Sequence, residues 1–158
     1  MMRVNTPKQR EWSKDLLDKA IEFHGHGGPF MIVGLRMGLT ALNLFKAKGW
    51  FDMTCCMDLP LMPPHSCVID GIQVATGCTM GKRNIEVRDG EGISGEFTTD
   101  KERARLRLKS KFLEMIKGTL ALSDDKATQA LMEEMIEAND LFEIELCPGP
   151  TTFLDCTQ

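Results

Sequence analysis

Apolar residues recur at helical spacing through Trp12, Leu16, Leu17, Ala20 and Ile21, which predicts a first helix starting near Thr6-Pro7 and bringing His24 to its end. Pro29 suits the first turn of a second helix, whose apolar stripe runs Val33, Gly34, Met37, Gly38, Ala41, Leu42 and Phe45 and stops before Gly49. Gly34 and Gly38 share one face, so another backbone can approach there. Trp50 to Met57 reads as a buried strand, and the proline-rich stretch Leu59 to Pro64 must be irregular, presenting His65 and Cys67. Ser66 is placed to cap a third helix carrying Cys67, Val68, Ile69, Ile72 and Ala75, with Gly77 just past its end.

Asn84 to Val87 and Ile93 to Phe97 flank Arg88-Asp89-Gly90-Glu91-Gly92, a turn signal that predicts a β-hairpin. Thr99 or Asp100 can cap a fourth helix with Leu108, Phe112, Met115 and Ile116 on its inner face and a basic run, Lys101 to Lys111, near its start. A fifth helix is predicted from Ser123 to Ala138, capped by Ser123 with Asp124 and Asp125, before an extended segment around Phe142 to Leu146. The expected fold class is α+β, with helices packed on a small, mostly antiparallel sheet in a single domain spanning residues 1–158.

A chain of 158 residues can bury a core without metals or crosslinks to staple it. The net charge of -4 provides no general attraction to nucleic acid or an anionic membrane, and the basic run, interrupted by Glu102 and free of aromatics, reads as a solvated face. No apolar run is long enough for a membrane span and no export signal is evident, so a cytoplasmic protein with six reduced cysteines is expected. The partners expected are small molecules or proteins.

Candidate chemistry centres on Phe23-His24-Gly25-His26-Gly27-Gly28-Pro29, two imidazoles one residue apart in a loop of free backbone. His65 and Cys67 could join His24 and His26 in a nitrogen and sulfur site of the kind zinc accepts, which disfavours magnesium or calcium. Cys67 in the first turn of a helix would feel the positive end of the dipole, favouring its thiolate. Cys78 lies about 16 Å from Cys67 if the helix runs straight through, so one ion cannot hold both. Asp70 and Gln73, on the same helix, are candidates to support the ligands from behind.

Gly77-Cys78-Thr79-Met80-Gly81-Lys82 lacks the spacing of a nucleotide phosphate loop and has Arg83 where a Ser or Thr is required. The stretch could still receive an anionic group, which makes Cys78 and Lys82 a possible additional site. Cys55 and Cys56, adjacent in a strand, and Cys147 and Cys156, without a Cys-x-x-Cys pair, read as structural thiols.

The motifs Phe23-His24-Gly25-His26, then Pro29, Gly34, Arg36 and Gly38, then Cys67-Val68-Ile69-Asp70-Gly71-Ile72-Gln73 and Thr76-Gly77-Cys78-Thr79-Met80-Gly81-Lys82, stand in an order that resembles the formylmethanofuran dehydrogenase E-subunit family. The resemblance implies an α+β core that forms homodimers, a metal-binding cleft near the His-Gly-His and cysteine motifs, and an association with a molybdenum or tungsten oxidoreductase handling a one-carbon unit on methanofuran. It implies no settled reaction. Family members continue the motif as His-Gly-His-x-Cys-Pro-Gly, whereas this chain has Gly27, Gly28, Pro29 and Phe30, so Gly28 stands where a cysteine is usual. The cysteine pairs of the zinc-finger tail that some relatives carry are also missing, so no second metal domain is expected.

Three functional readings follow. The first is a small zinc or other transition-metal protein using His24, His26, His65 and Cys67, with an open metal position if it is catalytic. In the second it is a non-catalytic accessory or ligand-binding component of a molybdenum or tungsten redox complex. In the third it is a thiol redox protein using Cys67 or Cys78.

Overall fold

The structure, a computed structural model, describes residues 10–149. Five helices, α1 (Lys14–His24), α2 (Pro29–Phe45), α3 (Cys67–Thr76), α4 (Ser110–Ala121) and α5 (Asp125–Glu137), pack with five strands, β1 (Thr54–Leu59), β2 (Ile85–Asp89), β3 (Ser94–Thr98), β4 (Arg103–Leu108) and β5 (Phe142–Cys147). The strands form one sheet in the order β2-β1-β3-β4-β5, in which only the β1–β2 pair is parallel. The class is α+β with a mostly antiparallel sheet, as the sequence pattern indicates.

Helix α2 is the centre of the core. It begins with Pro29 at its first turn, and almost every residue from Pro29 to Leu42 is buried, so the apolar stripe read from sequence is in fact a helix enclosed on nearly all sides. It packs most closely on α3, where a methyl group on Gly34 would sit 2.0 Å from the Val68 carbonyl oxygen and one on Gly71 would sit 2.1 Å from that of Met31. A Cβ on Gly38 would meet that of Ala75 at 2.7 Å. Glycines inside helices cost about 1 kcal/mol each relative to alanine, and here they permit backbones to meet where no larger residue fits.

Arg36 in the middle of α2 fixes the other flank. Its guanidinium donates to the carbonyls of Met135 (3.1 Å), Ile136 and Ala138 (2.6 Å) at the end of α5. These are carbonyls that a helix end leaves without partners. Burial pushes the Arg36 pKa below its usual value, but the three acceptors keep the charge in place.

The hairpin expected between Asn84 to Val87 and Ile93 to Phe97 does not form, because β1 inserts between β2 and β3 and pairs with both. The turn signal at Asp89-Gly90 is real, but it reverses the chain over a third strand. The first part of the predicted fourth helix is also corrected. Arg103, Arg105 and Arg107 alternate with the buried Ala104, Leu106 and Leu108, a period of two that makes β4. Thr99 spends its capping capacity on the β3–β4 turn, where its hydroxyl accepts from the amides of Lys101 and Glu102. Arg103 and Arg105 pair with Glu96 on the neighbouring strand, each at 3.4 Å, so part of the basic run is neutralised across the sheet.

Smaller corrections follow the same logic. Trp50 to Met53 is a turn rather than strand, held by the Asp52 carboxylate accepting from the amides of Lys48 (3.0 Å) and Gly49 (2.8 Å). The cap of α5 is Asp124, which accepts from the amides of Lys126 and Ala127, while Ser123 sits at φ 51° before it. Helix α1 begins at Ser13, whose hydroxyl accepts from the Leu16 amide, and the predicted start at Thr6-Pro7 lies outside the described residues. Met115 faces outward.

The glycine contacts give a paired test. Gly71→Ala is expected to destabilise the protein by about 3 kcal/mol, the upper part of the overpacking range, since its Cβ would meet backbone rather than a flexible side chain. Gly118→Ala, in open space on α4, should instead stabilise by about 1 kcal/mol. Urea denaturation measures both, and equal effects at the two sites would contradict the packing account.

Candidate functional site

The end of α1 carries the first imidazole. Gly25 terminates the helix in the left-handed conformation at φ 94°, donating its amide to the Ile21 carbonyl, so the chain turns immediately after His24. The turn brings His26 back beside it, with ring centroids 4.6 Å apart and planes tilted by 55°. The peptide then extends through Gly28 into α2.

Helix α3 packs against α1 and supplies the partner of His24. Nδ1 of His24 lies 2.6 Å from Oδ2 of Asp70, a residue 46 positions away, and the His24 side chain is only 8% exposed. His26, which is exposed, places its own Nδ1 2.9 Å from the Gly27 carbonyl oxygen. A carbonyl can only accept, so the hydrogen is on Nδ1 and the lone pair is on Nε2. The His24–Asp70 contact points to the same tautomer. Nε2 of His24 is buried and has no hydrogen-bond partner among the described residues.

Both rings line a cavity of about 330 Å³. Gly28, Phe30, Pro64 and Cys67 form one wall, and Leu120, Ser123, Asp125 and Thr128, from the end of α4 and start of α5, form the other. The second wall was invisible to motif reading, because an N-terminal helix turn rich in Ser, Asp and Thr reads only as a cap. His65 is not among the lining residues. Its ring packs on Phe30 at 4.9 Å, where burial and then the charge of Lys117 push its pKa down.

Cys67 faces the cavity from the first turn of α3, yet the expected dipole activation does not prevail. Burial first, and the Asp70 carboxylate second, push its thiol pKa up. The amides that would have projected from the helix start are already used, with Cys67, Val68 and Ile69 donating to the carbonyls of Pro64, His65 and Ser66. Ser66 occupies the capping position without its side chain accepting any of them.

The remaining candidates lie elsewhere. Cys78, at the far end of α3, is fully buried with Sγ 3.3 Å from the Met53 carbonyl oxygen, and burial pushes its thiol up. Lys82 and Gln73 line a separate cavity near that end. Cys55 and Cys56 are both buried in β1, Cys147 is a free thiol at the end of β5, and Cys156 lies outside the described residues.

Judged as a metal centre, the donor chemistry fits in part. Two imidazoles with Nδ1 held by an oxygen and Nε2 left open match the way metal-binding histidines are oriented, and the orphaned Nε2 of His24 is a buried polar atom without another use. Among the described residues, however, no three His, Cys, Asp or Glu side chains already stand together as a group that could hold an ion. No described helix is long and apolar enough to cross a membrane.

Residues 23–143 match the family described as FmdE, molybdenum formylmethanofuran dehydrogenase operon, and the chain belongs to that family. A curated relative from Archaeoglobus fulgidus, named "Probable S-adenosyl-L-methionine-binding protein", is 38% identical over 71 residues, which are 44% of this chain and 19% of the relative. The chain thus spans about a fifth of the length of that protein. Among solved structures, a tungsten formylmethanofuran dehydrogenase (FmdE)-like protein from Syntrophus aciditrophicus superposes with a TM-score of 0.56 at 18% identity, covering 90% of this chain and 77% of the other. That likeness supports the fold.

The opposing effects on Cys67 give a test in metal-free protein. A raised pKa leaves little thiolate at neutral pH, so alkylation by iodoacetamide should be slow. Asp70→Asn removes a negative charge that raises the pKa, which lowers it, increases the thiolate fraction and speeds labelling. Mass spectrometry of the labelled peptide measures the rates, and an unchanged or slower rate in the variant would contradict the assignment of Asp70's effect.

Proposed function

We propose that this chain is a metal-binding member of its family, with Nε2 of His24 and of His26 as ligands to a zinc-like transition metal and Cys67 as the thiol facing the same cavity. The observation that carries this reading is the paired orientation of the rings, each with Nδ1 engaged by an oxygen and Nε2 left as a lone pair. With two imidazoles from the chain, further coordination positions stay open for a small-molecule ligand. When bound, such an ion supplies a Lewis acid that polarises a carbonyl or acidifies a water.

The chain's own residues have definable tasks in this reading. Asp70 holds the His24 ring in one tautomer and raises its basicity as a ligand. Phe30 and Leu120 make the cavity walls apolar, while Asp125, Ser123 and Thr128 offer polar contacts to a ligand entering from the α4–α5 side. Gly28 marks the position of the usual family cysteine. A Cβ built there lies 3.5 Å from Cε1 of the His26 ring, in ordinary contact, and the φ of -156° suits any residue.

A second reading, an accessory component of a molybdenum or tungsten oxidoreductase acting in a cytoplasmic one-carbon pathway, is favoured by the operon named in the family description. Co-purification from the native host tests it, since a defined oxidoreductase partner supports that role and its repeated absence counts against it. The proposal includes a homodimer and a single domain. The β5 edge, where Ile144 and Leu146 are 48% and 70% exposed, is the strand surface available for the self-contact. The raised pKa values of Cys67 and Cys78 weigh against a thiol redox role.

Elemental analysis of protein purified without an affinity tag should find a stoichiometric transition metal. His24→Ala and His26→Ala should each remove it, Asp70→Asn should weaken binding by about 10- to 100-fold, and Gly28→Cys should tighten it by adding a thiolate beside His26. Metal content untouched by both histidine substitutions would overturn the assignment.

A further inference from the structure

At the opposite end of α3 from Cys67 lies a second cavity, of about 300 Å³, lined by Arg10, Phe23, Trp50, Gln73, Thr79 and Lys82 among others. Its lining holds two cations and no carboxylate, in a chain whose net charge is -4. Local charge there runs against the charge of the whole chain.

The polar groups facing the cavity are set as donors. The Arg10 guanidinium stacks over the Trp50 ring at 3.9 Å and uses one nitrogen, Nη1, to donate to the carbonyls of Val74 (2.8 Å) and Ala75 (2.7 Å). Lys82 Nζ donates to Thr79 Oγ1 at 2.7 Å, which leaves the Thr79 hydroxyl proton available. Gln73 Oε1 accepts from the Met80 amide, so the amide nitrogen is the end left to donate. Among the described residues neither Arg10 nor Lys82 has an ion-pair partner. Asp52, on the loop that carries Trp50, turns its carboxylate to the amides of Lys48 and Gly49.

A space walled by two cations, donor groups and aromatic faces selects a ligand that brings only acceptors and a flat apolar body. We propose that this cavity binds a small organic oxyanion, its charged head between Lys82 and Arg10 with Gln73 and Thr79 donating, and its body along Trp50 and Phe23. The head is a carboxylate or a phosphate monoester. The inference is independent of the histidine cavity, which lies at the other end of the helix.

The test follows the Trp50 indole N–H by NMR while phenyl phosphate, benzoate or neutral benzamide is titrated into the full chain. Phenyl phosphate or benzoate should shift it saturably in about the millimolar range, the tighter of the two naming the head group, and benzamide should not. Lys82→Gln should weaken binding by about tenfold, a loss of about 1.4 kcal/mol, and His26→Ala should leave it unchanged. Arg10→Gln should weaken it as well. Because Arg10 also holds the end of α3, its fold is checked by circular dichroism, and Lys82→Gln decides the matter if that variant unfolds. No saturable shift with either anion, equal binding of benzamide, or a Lys82→Gln variant that binds like the parent would overturn the proposal.

Discussion

The close approach of α2 and α3 is the constraint on which the rest of the structure depends. With Gly34 on one helix and Gly71 on the other, each backbone lies where a side chain of its neighbour would have stood. The conformational cost of three interior glycines, about 1 kcal/mol each, is offset by burying both apolar faces against each other. Asp70 precedes Gly71, so the same contact fixes how far its carboxylate reaches toward α1. A helix pair held further apart would lose the 2.6 Å contact to His24.

That contact turns a packing arrangement into a chemical one. A buried imidazole with a carboxylate on one nitrogen and nothing on the other is costly unless the free nitrogen has a use, since an unsatisfied buried polar atom costs about 1–3 kcal/mol. His24 is in that condition, and His26 beside it has its own Nδ1 tied to a carbonyl. Two lone pairs at one cavity, with Cys67 on the wall, are an arrangement that a soft or borderline metal ion suits. At the other end of α3, donors and cations gather around Trp50, so the two ends of one helix offer opposite chemistry.

Much of this was legible in the sequence where the signal was local. Pro29 marks the start of α2, Gly77 the end of α3, and Gly34 and Gly38 announce a close backbone neighbour, all because proline and glycine carry conformational meaning at single positions. Other signals failed where local chemistry serves several structures. Arg103 to Leu108 alternates with period two, but its arginines resemble the polar side of a helix when joined to the helical residues after Ser110. The Asp89-Gly90 turn says that the chain bends, not which strand comes next, so the insertion of β1 was out of reach. For the site, the His-Gly-His loop, Cys67 and Asp70 could be singled out, whereas the wall made by Ser123, Asp125 and Thr128 and the role of Arg10 depend on elements brought together only by the fold. The position of His65 illustrates the same limit. Two residues from Cys67 in sequence, it turns its ring onto Phe30.

The central claim is that both histidines present Nε2 as a lone pair because their Nδ1 atoms are held by oxygen. Long-range proton–nitrogen NMR of the imidazoles in metal-free protein, at a pH where both rings are neutral, tests it without reference to any activity. The account predicts the Nδ1–H tautomer for both His24 and His26, and a selective shift of their Nε2 resonances when zinc is added. An Nε2–H tautomer at His24, or zinc that leaves both Nε2 signals in place, would contradict it.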